Sequence, residues 1–108
     1  ETLLGTVFKE SPGLRENIVL ATKGGIDPGV PYDSSEAYLN ASLDASLQRM
    51  GVDHVDLFQV HRPDVLTGPY ELANTLQKMV ASGKVGAVGV RAAFWRSSSV
   101  PLSFYQLI

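Results

Sequence analysis

The sequence predicts an α/β protein built on a parallel sheet, and two observations point there. Three short runs, Ile18–Ala21, Val55–Val60 and Val85–Val90, have the length of strands, and the first and third are almost wholly apolar or glycine. Such continuity suits parallel strands covered on both faces. Between the runs lie two stretches whose apolar residues recur at helical spacing. Strand and helix therefore alternate, the rhythm of β-α-β units joined by right-handed crossovers.

Taken in order, Leu3, Leu4, Val7 and Phe8 predict a partial helix over residues 2–9, ahead of the first strand at Ile18–Ala21. Leu39, Leu43, Leu47 and Met50 then form one apolar stripe. Asp33 and Glu36 can open that helix as a capping-box-like pair, and Gly51 stands where a left-handed stop is needed. After the strand Val55–Val60 comes a second helix with Leu72, Leu76, Met79 and Val80 on one side. It starts at Gly68-Pro69, where the missing N–H of proline costs nothing, and stops at Gly83. The third strand, Val85–Val90, precedes a further short helix beginning near Leu102.

Composition narrows the function classes. At 108 residues the chain holds at most one domain. With no cysteine it has no disulfide framework, thiolate metal site or cysteine nucleophile. A net charge of −2 leaves no basic footprint for nucleic acid or an anionic membrane. No apolar run reaches membrane-spanning length, and a cytoplasmic setting is expected. Glu1-Thr2-Leu3-Leu4 reads as the interior of a helix, and three strands are too few to close a barrel. The expectation is a piece of a larger domain, since such barrels take about 250 residues.

In parallel α/β folds chemistry gathers where strands end. Thr22-Lys23-Gly24-Gly25 follows the first run, His61-Arg62-Pro63-Asp64 the second and Arg91-Ala92-Ala93-Phe94 the third. Lys23 is suited to forming a Schiff base, binding an anion or depressing the pKa of a nearby tyrosine; taken alone, the favoured reading is a lysine snorkelling from a strand end. His61 is suited to hydrogen-bonding a carbonyl or to acid–base work, and alone reads equally as a core histidine. Together, on one edge of adjacent strands, they favour a site. His54 precedes its strand and belongs to the opposite, structural end. Asp56, inside a strand, needs a partner: Lys23, or more plainly a backbone or arginine contact. Arg62 and Asp64 can pair to order their loop. The run Gly24-Gly25-Ile26-Asp27-Pro28-Gly29 lacks the G-x-G-x-x-G order, and Val30 stands where a phosphate loop carries lysine. With two histidines, no metal site is expected.

Four ordered blocks carry a resemblance: Ile18–Lys23, Ser42–Met50, Asp53–Asp64 and Ser82–Val90. Their residues resemble the aldo/keto reductase superfamily, and His61-Arg62-Pro63-Asp64 is like its bacterial-type oxidoreductase branch. The resemblance implies a partial (β/α)8 TIM barrel, about strands three to five with their helices, so that residues 1–108 form one incomplete domain. It implies reduction of an aldehyde or ketone with NADPH. Of the family's Asp-Tyr-Lys-His tetrad, Lys23 matches the lysine and His61 the histidine. The Asp and Tyr belong to segments preceding Glu1, which resembles the glutamate shortly after the Tyr motif. Tyr32, Tyr38, Tyr70 and Tyr105 do not carry that motif, and Arg91-Ala92-Ala93 replaces a Ser-Asn pair that contacts the nicotinamide. The cofactor-binding residues are not identified, and the chain alone is expected to be inactive.

Three other readings stay open: a reductase-like module that binds NADPH without turnover, a non-functional remnant, and a Schiff-base aldolase. Borohydride trapping of a carbonyl substrate on Lys23 would reveal the last. For partners, a small carbonyl substrate is expected. Unpaired outer strands invite pairing with another chain, so self-association through exposed barrel edges is expected too. Sedimentation should then show species heavier than 11.6 kDa, whereas a clean monomer with a cooperative urea transition would contradict it.

Overall fold

Residues 1–25, 34–61 and 67–90 are described by the computed structural model. The elements run α1 (Thr2–Glu10), a 3-10 helix (Pro12–Asn17), β1 (Ala21–Gly24), α2 (Glu36–Met50), β2 (Val55–Val60), α3 (Pro69–Ala81) and β3 (Val85–Val90). The strands form one parallel sheet in the order β1-β2-β3. Parallel neighbours need a crossover, and α2 and α3 supply them. The α/β expectation therefore holds.

Local chemistry sets the helix limits. Ser35 caps α2, its hydroxyl accepting the Tyr38 N–H at 3.3 Å. The expected Asp33–Glu36 pairing is thus replaced at the cap by Ser35, and Asp33 lies outside the described residues. Gly51 ends α2 at φ 65°, where its N–H reaches back to the Gln48 and Leu47 carbonyls. A side chain would be strained at that backbone angle, so glycine serves as the stop. Gly68 and Pro69 open α3 as expected, and Ser82 closes it just before Gly83.

The connections are unequal. Four residues, Gly51–His54, join α2 to β2, and three, Ser82–Lys84, join α3 to β3. Eleven residues (25–35) separate β1 from α2, and eight (61–68) separate β2 from α3. The glycine-rich run after Gly25, the loop charges Arg62 and Asp64, the segment Arg91–Phe94 and the helix near Leu102 lie outside the described residues.

One hydrophobic core fills the space between helices and sheet. Leu39, Leu43, Leu47 and Met50 of α2 pack with Phe58 and Val60 of β2, Leu72, Leu76 and Met79 of α3, and Phe8 of α1. The stripes foreseen on α2 and α3 are the buried faces, apart from Val80, which is 39% exposed at the margin of its stripe. In α1 only part of the apolar set is used. Phe8 is buried, whereas Leu3 is 78% exposed because the described chain places nothing over that flank.

The first strand differs most from expectation. Ile18–Leu20 approaches the sheet but does not form the ladder, which runs instead over Ala21–Gly24. Two features cause the shift. The 3-10 helix holds the chain to Asn17, and the Leu20 N–H is taken by the carboxylate of Asp56 at 2.8 Å rather than by a strand carbonyl. Lys23 is consequently inside β1, one residue from its end, rather than beyond it.

Burial alternates along β1: Thr22 and Gly24 face the helices, while Ala21 and Lys23 are exposed. Phe58 sits at the centre of the covered face, opposite Thr22 and Val88, and is fully buried. Phe58→Ala should therefore cost about 3–5 kcal/mol, the usual loss for a buried aromatic. Urea unfolding should show a much lower midpoint for this variant or no folded baseline.

Candidate functional site

Lys23 and His61 reach the same end of the sheet by backbone register alone. Lys23 lies opposite Gln59, and Gly24 lies opposite Val60. The His61 N–H then donates to the Gly24 carbonyl at 2.9 Å, extending the β1–β2 pairing one step past the strand. The two side chains contribute to one open cavity of about 530 Å³. Tyr38, Ser42, Ala45 and Arg49 of α2 complete much of its wall. Lys23 is exposed and His61 half-buried. Among the described residues no carboxylate lies within ion-pair reach of Lys23.

The other candidates fall elsewhere. Asp56 sits at the start of β2, away from Lys23, and accepts both the Leu20 N–H and Arg15 Nη1, the latter at 3.1 Å. This is the backbone-and-arginine satisfaction that its position in a strand suggested. His54 is exposed just before β2, and its carbonyl accepts Arg15 Nη2 at 2.9 Å. Among the described residues no group of three metal-ligating side chains gathers, and no helix is long and apolar enough to cross a membrane.

A polar cluster that the sequence pattern left unread lies beneath Lys23. The Thr22 hydroxyl donates to Glu1 Oε1 at 2.6 Å, and Ser46 Oγ lies 3.4 Å from it. Arg49 Nε donates to Glu1 Oε2 at 2.7 Å, and Arg49 Nη2 donates to Ser46 Oγ at 3.3 Å. Thr22 and Ser46 are buried. The available signal was Ser46 itself, a hydroxyl on the apolar face of α2, three residues after Leu43 and beside Leu47. A buried hydroxyl in that place calls for a partner.

Electrostatics mark two carboxylates. The Leu20 N–H does most to hold Asp56 below its ordinary 3.8; burial opposes it, and Arg15 adds its charge and a hydrogen bond. Burial alone would raise Glu1, but hydrogen bonds from Thr22, Arg49 and Ser46 and the Arg49 charge outweigh it, leaving Glu1 below its ordinary 4.5.

A lysine and a histidine thus open on one cavity at the carboxyl end of adjacent parallel strands, the end at which α/β proteins commonly build their sites. The profile of the Aldo/keto reductase family, a (β/α)8-barrel family, matches residues 1–100, and the chain belongs to that family. It is 56% identical over 90 residues to a 6-dehydroglucose reductase of Novosphingobium aromaticivorans, covering 83% of this chain and 30% of that protein. It is 48% identical over 95 residues to the L-glyceraldehyde 3-phosphate reductase of Escherichia coli K12, covering 83% of this chain and 27% of that one. A Schizosaccharomyces pombe protein named aldo-keto reductase yakc [NADP(+)] is 34% identical over 95 residues, covering 83% and 28%. The chain thus spans less than a third of the length of these relatives.

Because Asp56 and Glu1 hold their protons less readily in the folded state, the stability they add is complete above their unfolded values. It is lost as pH falls through the lower folded values. The urea midpoint should stay level from about pH 7 to about pH 5 and then decline, and Asp56→Asn should flatten part of that decline.

Proposed function

We propose that this chain is the part of an NADPH-dependent reductase of aldehydes or ketones, acting in the cytoplasm, that supplies the third to fifth strands of its barrel. The observation that supports it best is the meeting of Lys23 and His61 at one cavity on adjacent strand ends. In this reading His61 hydrogen-bonds the substrate carbonyl and fixes its orientation. Lys23 places a positive charge beside the oxygen as it becomes an alkoxide, and favours release of a proton from a neighbouring tyrosine. That tyrosine, and the aspartate that holds the lysine, come from the family's preceding segment.

The described residues fit this carbonyl-facing half of a site. Two polar groups converge on a cavity within the usual 300–1,000 Å³ range for small-molecule pockets. NADPH, when bound, supplies the hydride; the NADP(+) in the name of the S. pombe relative supports that assignment. The substrates in the other two relatives' names, 6-dehydroglucose and L-glyceraldehyde 3-phosphate, favour a small polyhydroxylated carbonyl compound.

The test is reductase activity of the full-length protein that carries this segment. Lys23→Met and His61→Gln should each lower kcat/KM by about 10²–10⁴, the usual weight of positioned acid–base groups. Residues 1–108 alone should show no carbonyl-dependent NADPH oxidation. Full activity in either variant would overturn the assignment of roles.

A further inference from the structure

Lys23 is held in place from beneath, on both sides. Thr22, its predecessor, points into the helix layer and is tied through Glu1 and Ser46 to α1 and α2. Gly24, its successor, also faces that layer, where a Cβ would come within 2.7 Å of Phe58 Cζ and 3.0 Å of Ser42 Oγ. A side chain at residue 24 would force the Phe58 ring or the Ser42 side chain to shift. The backbone on either side of Lys23 is thus fixed by hydrogen bonds at one residue and by close approach at the next. Adjacent residues of a strand point to opposite faces, so anchoring Thr22 and Gly24 inward turns Lys23 outward.

The polar anchor is unusual for its surroundings. Leu43, Leu47, Phe58 and Val60 form an apolar core within the same layer, yet Ser46 and Thr22 bring hydroxyls into it. Apolar residues of similar size would fill that space without needing partners. What the hydroxyls add is direction. Glu1 accepts from β1 and α2 at once, the Arg49 guanidinium holds both Glu1 and Ser46, and the geometry of each bond limits where Thr22 can sit. Charge-assisted hydrogen bonds carry that restraint between Glu1, the N-cap of α1, and residues of β1 and α2.

We infer that Glu1, Thr22, Ser46 and Arg49 form a positioning network that fixes β1 so that Lys23 is presented at the strand end it shares with His61. The inference rests on the reading that Lys23 and His61 act on a carbonyl. Of its members only Arg49 also lines the cavity; Glu1, Thr22 and Ser46 do not. Its effect passes through the backbone of β1 to the Gly24 carbonyl, which receives the His61 N–H.

That hydrogen bond gives a local readout that needs no turnover. Amide hydrogen exchange of His61 in residues 1–108 should quicken at least tenfold in Thr22→Val, which keeps the shape of the side chain and removes the donor. The Leu76 amide, in the middle of α3, should change less than twofold. Thr22→Ser, which restores the hydroxyl, should return His61 to within twofold of the parent. If Thr22→Val does not fold, Glu1→Gln carries the same expectation, because it removes the charge that holds Arg49. His61 and Leu76 quickening together would mean general loosening and would overturn the proposal, as would no change at His61 in a folded variant. Loss of the reductase reading appears separately, as a full-length protein without carbonyl reduction whose His61 amide still responds to Thr22→Val.

Discussion

The Asp56 carboxylate takes the N–H of Leu20 at 2.8 Å and a guanidinium N–H of Arg15 at 3.1 Å, and with these two bonds it decides where the first strand begins. A side-chain oxygen occupies the place where a neighbouring strand would offer a carbonyl. The Leu20 carbonyl in turn accepts the N–H groups of both Asp56 and Leu57. With the junction so occupied, the regular ladder starts one residue later, at Ala21 opposite Leu57. From that register follow Lys23 opposite Gln59, Gly24 opposite Val60, and the His61 N–H on the Gly24 carbonyl. A carboxylate at one end of a four-residue strand, together with the 3-10 helix before it, thereby contributes to the register of two candidate functional groups at the other.

The two faces of the sheet do different work. The helix-covered face is closed by Phe58, Val60 and the leucines of α2, and hydrophobic burial there is the main stabilising term. On the other face Ala21 and Lys23 are exposed, and Leu57, Gln59 and Ala87 are only half-buried. The candidate groups Lys23 and His61 lie on or beside this less covered face, while their backbone neighbours Thr22 and Val60 are buried on the covered one. The exposed ion pairs, Lys78–Glu36 at 3.2 Å and Lys84–Asp44 at 2.7 Å, tie α2 to the following helix and turn. Pairs this exposed contribute about 0–1 kcal/mol and are screened by salt, so they adjust the packing and do not create it.

Elements with a period and a punctuated end were legible in the sequence. The stripe Leu39, Leu43, Leu47, Met50 with Gly51 after it announces α2, and Gly68-Pro69 announces the start of α3. The pairing of Lys23 with His61 was legible too, because strand order alone puts both at carboxyl ends. Elements whose bounds depend on distant partners were not. Ile18–Ala21 is the most apolar stretch before Lys23, yet Val19 is 81% exposed, because a carboxylate from residue 56 displaces the ladder toward Gly24. The Glu1–Thr22–Ser46–Arg49 cluster was hidden for the same reason: its members are far apart in sequence, and only tertiary packing brings them together.

The inequality of the connections bears on how such a protein changes over generations. At one end of the sheet four residues stitch α2 to β2 and three stitch α3 to β3, with Gly51 held in a backbone conformation that few residues tolerate. An insertion there would strain the junction and disturb the core. At the opposite end, eight and eleven residues separate strand from helix, and Lys23 and His61 border those longer spans. Longer connections absorb replacement and lengthening more readily than tight ones. The tight junctions and the long spans thus lie at different ends of the sheet, so changes of length are best tolerated at the end that carries Lys23 and His61.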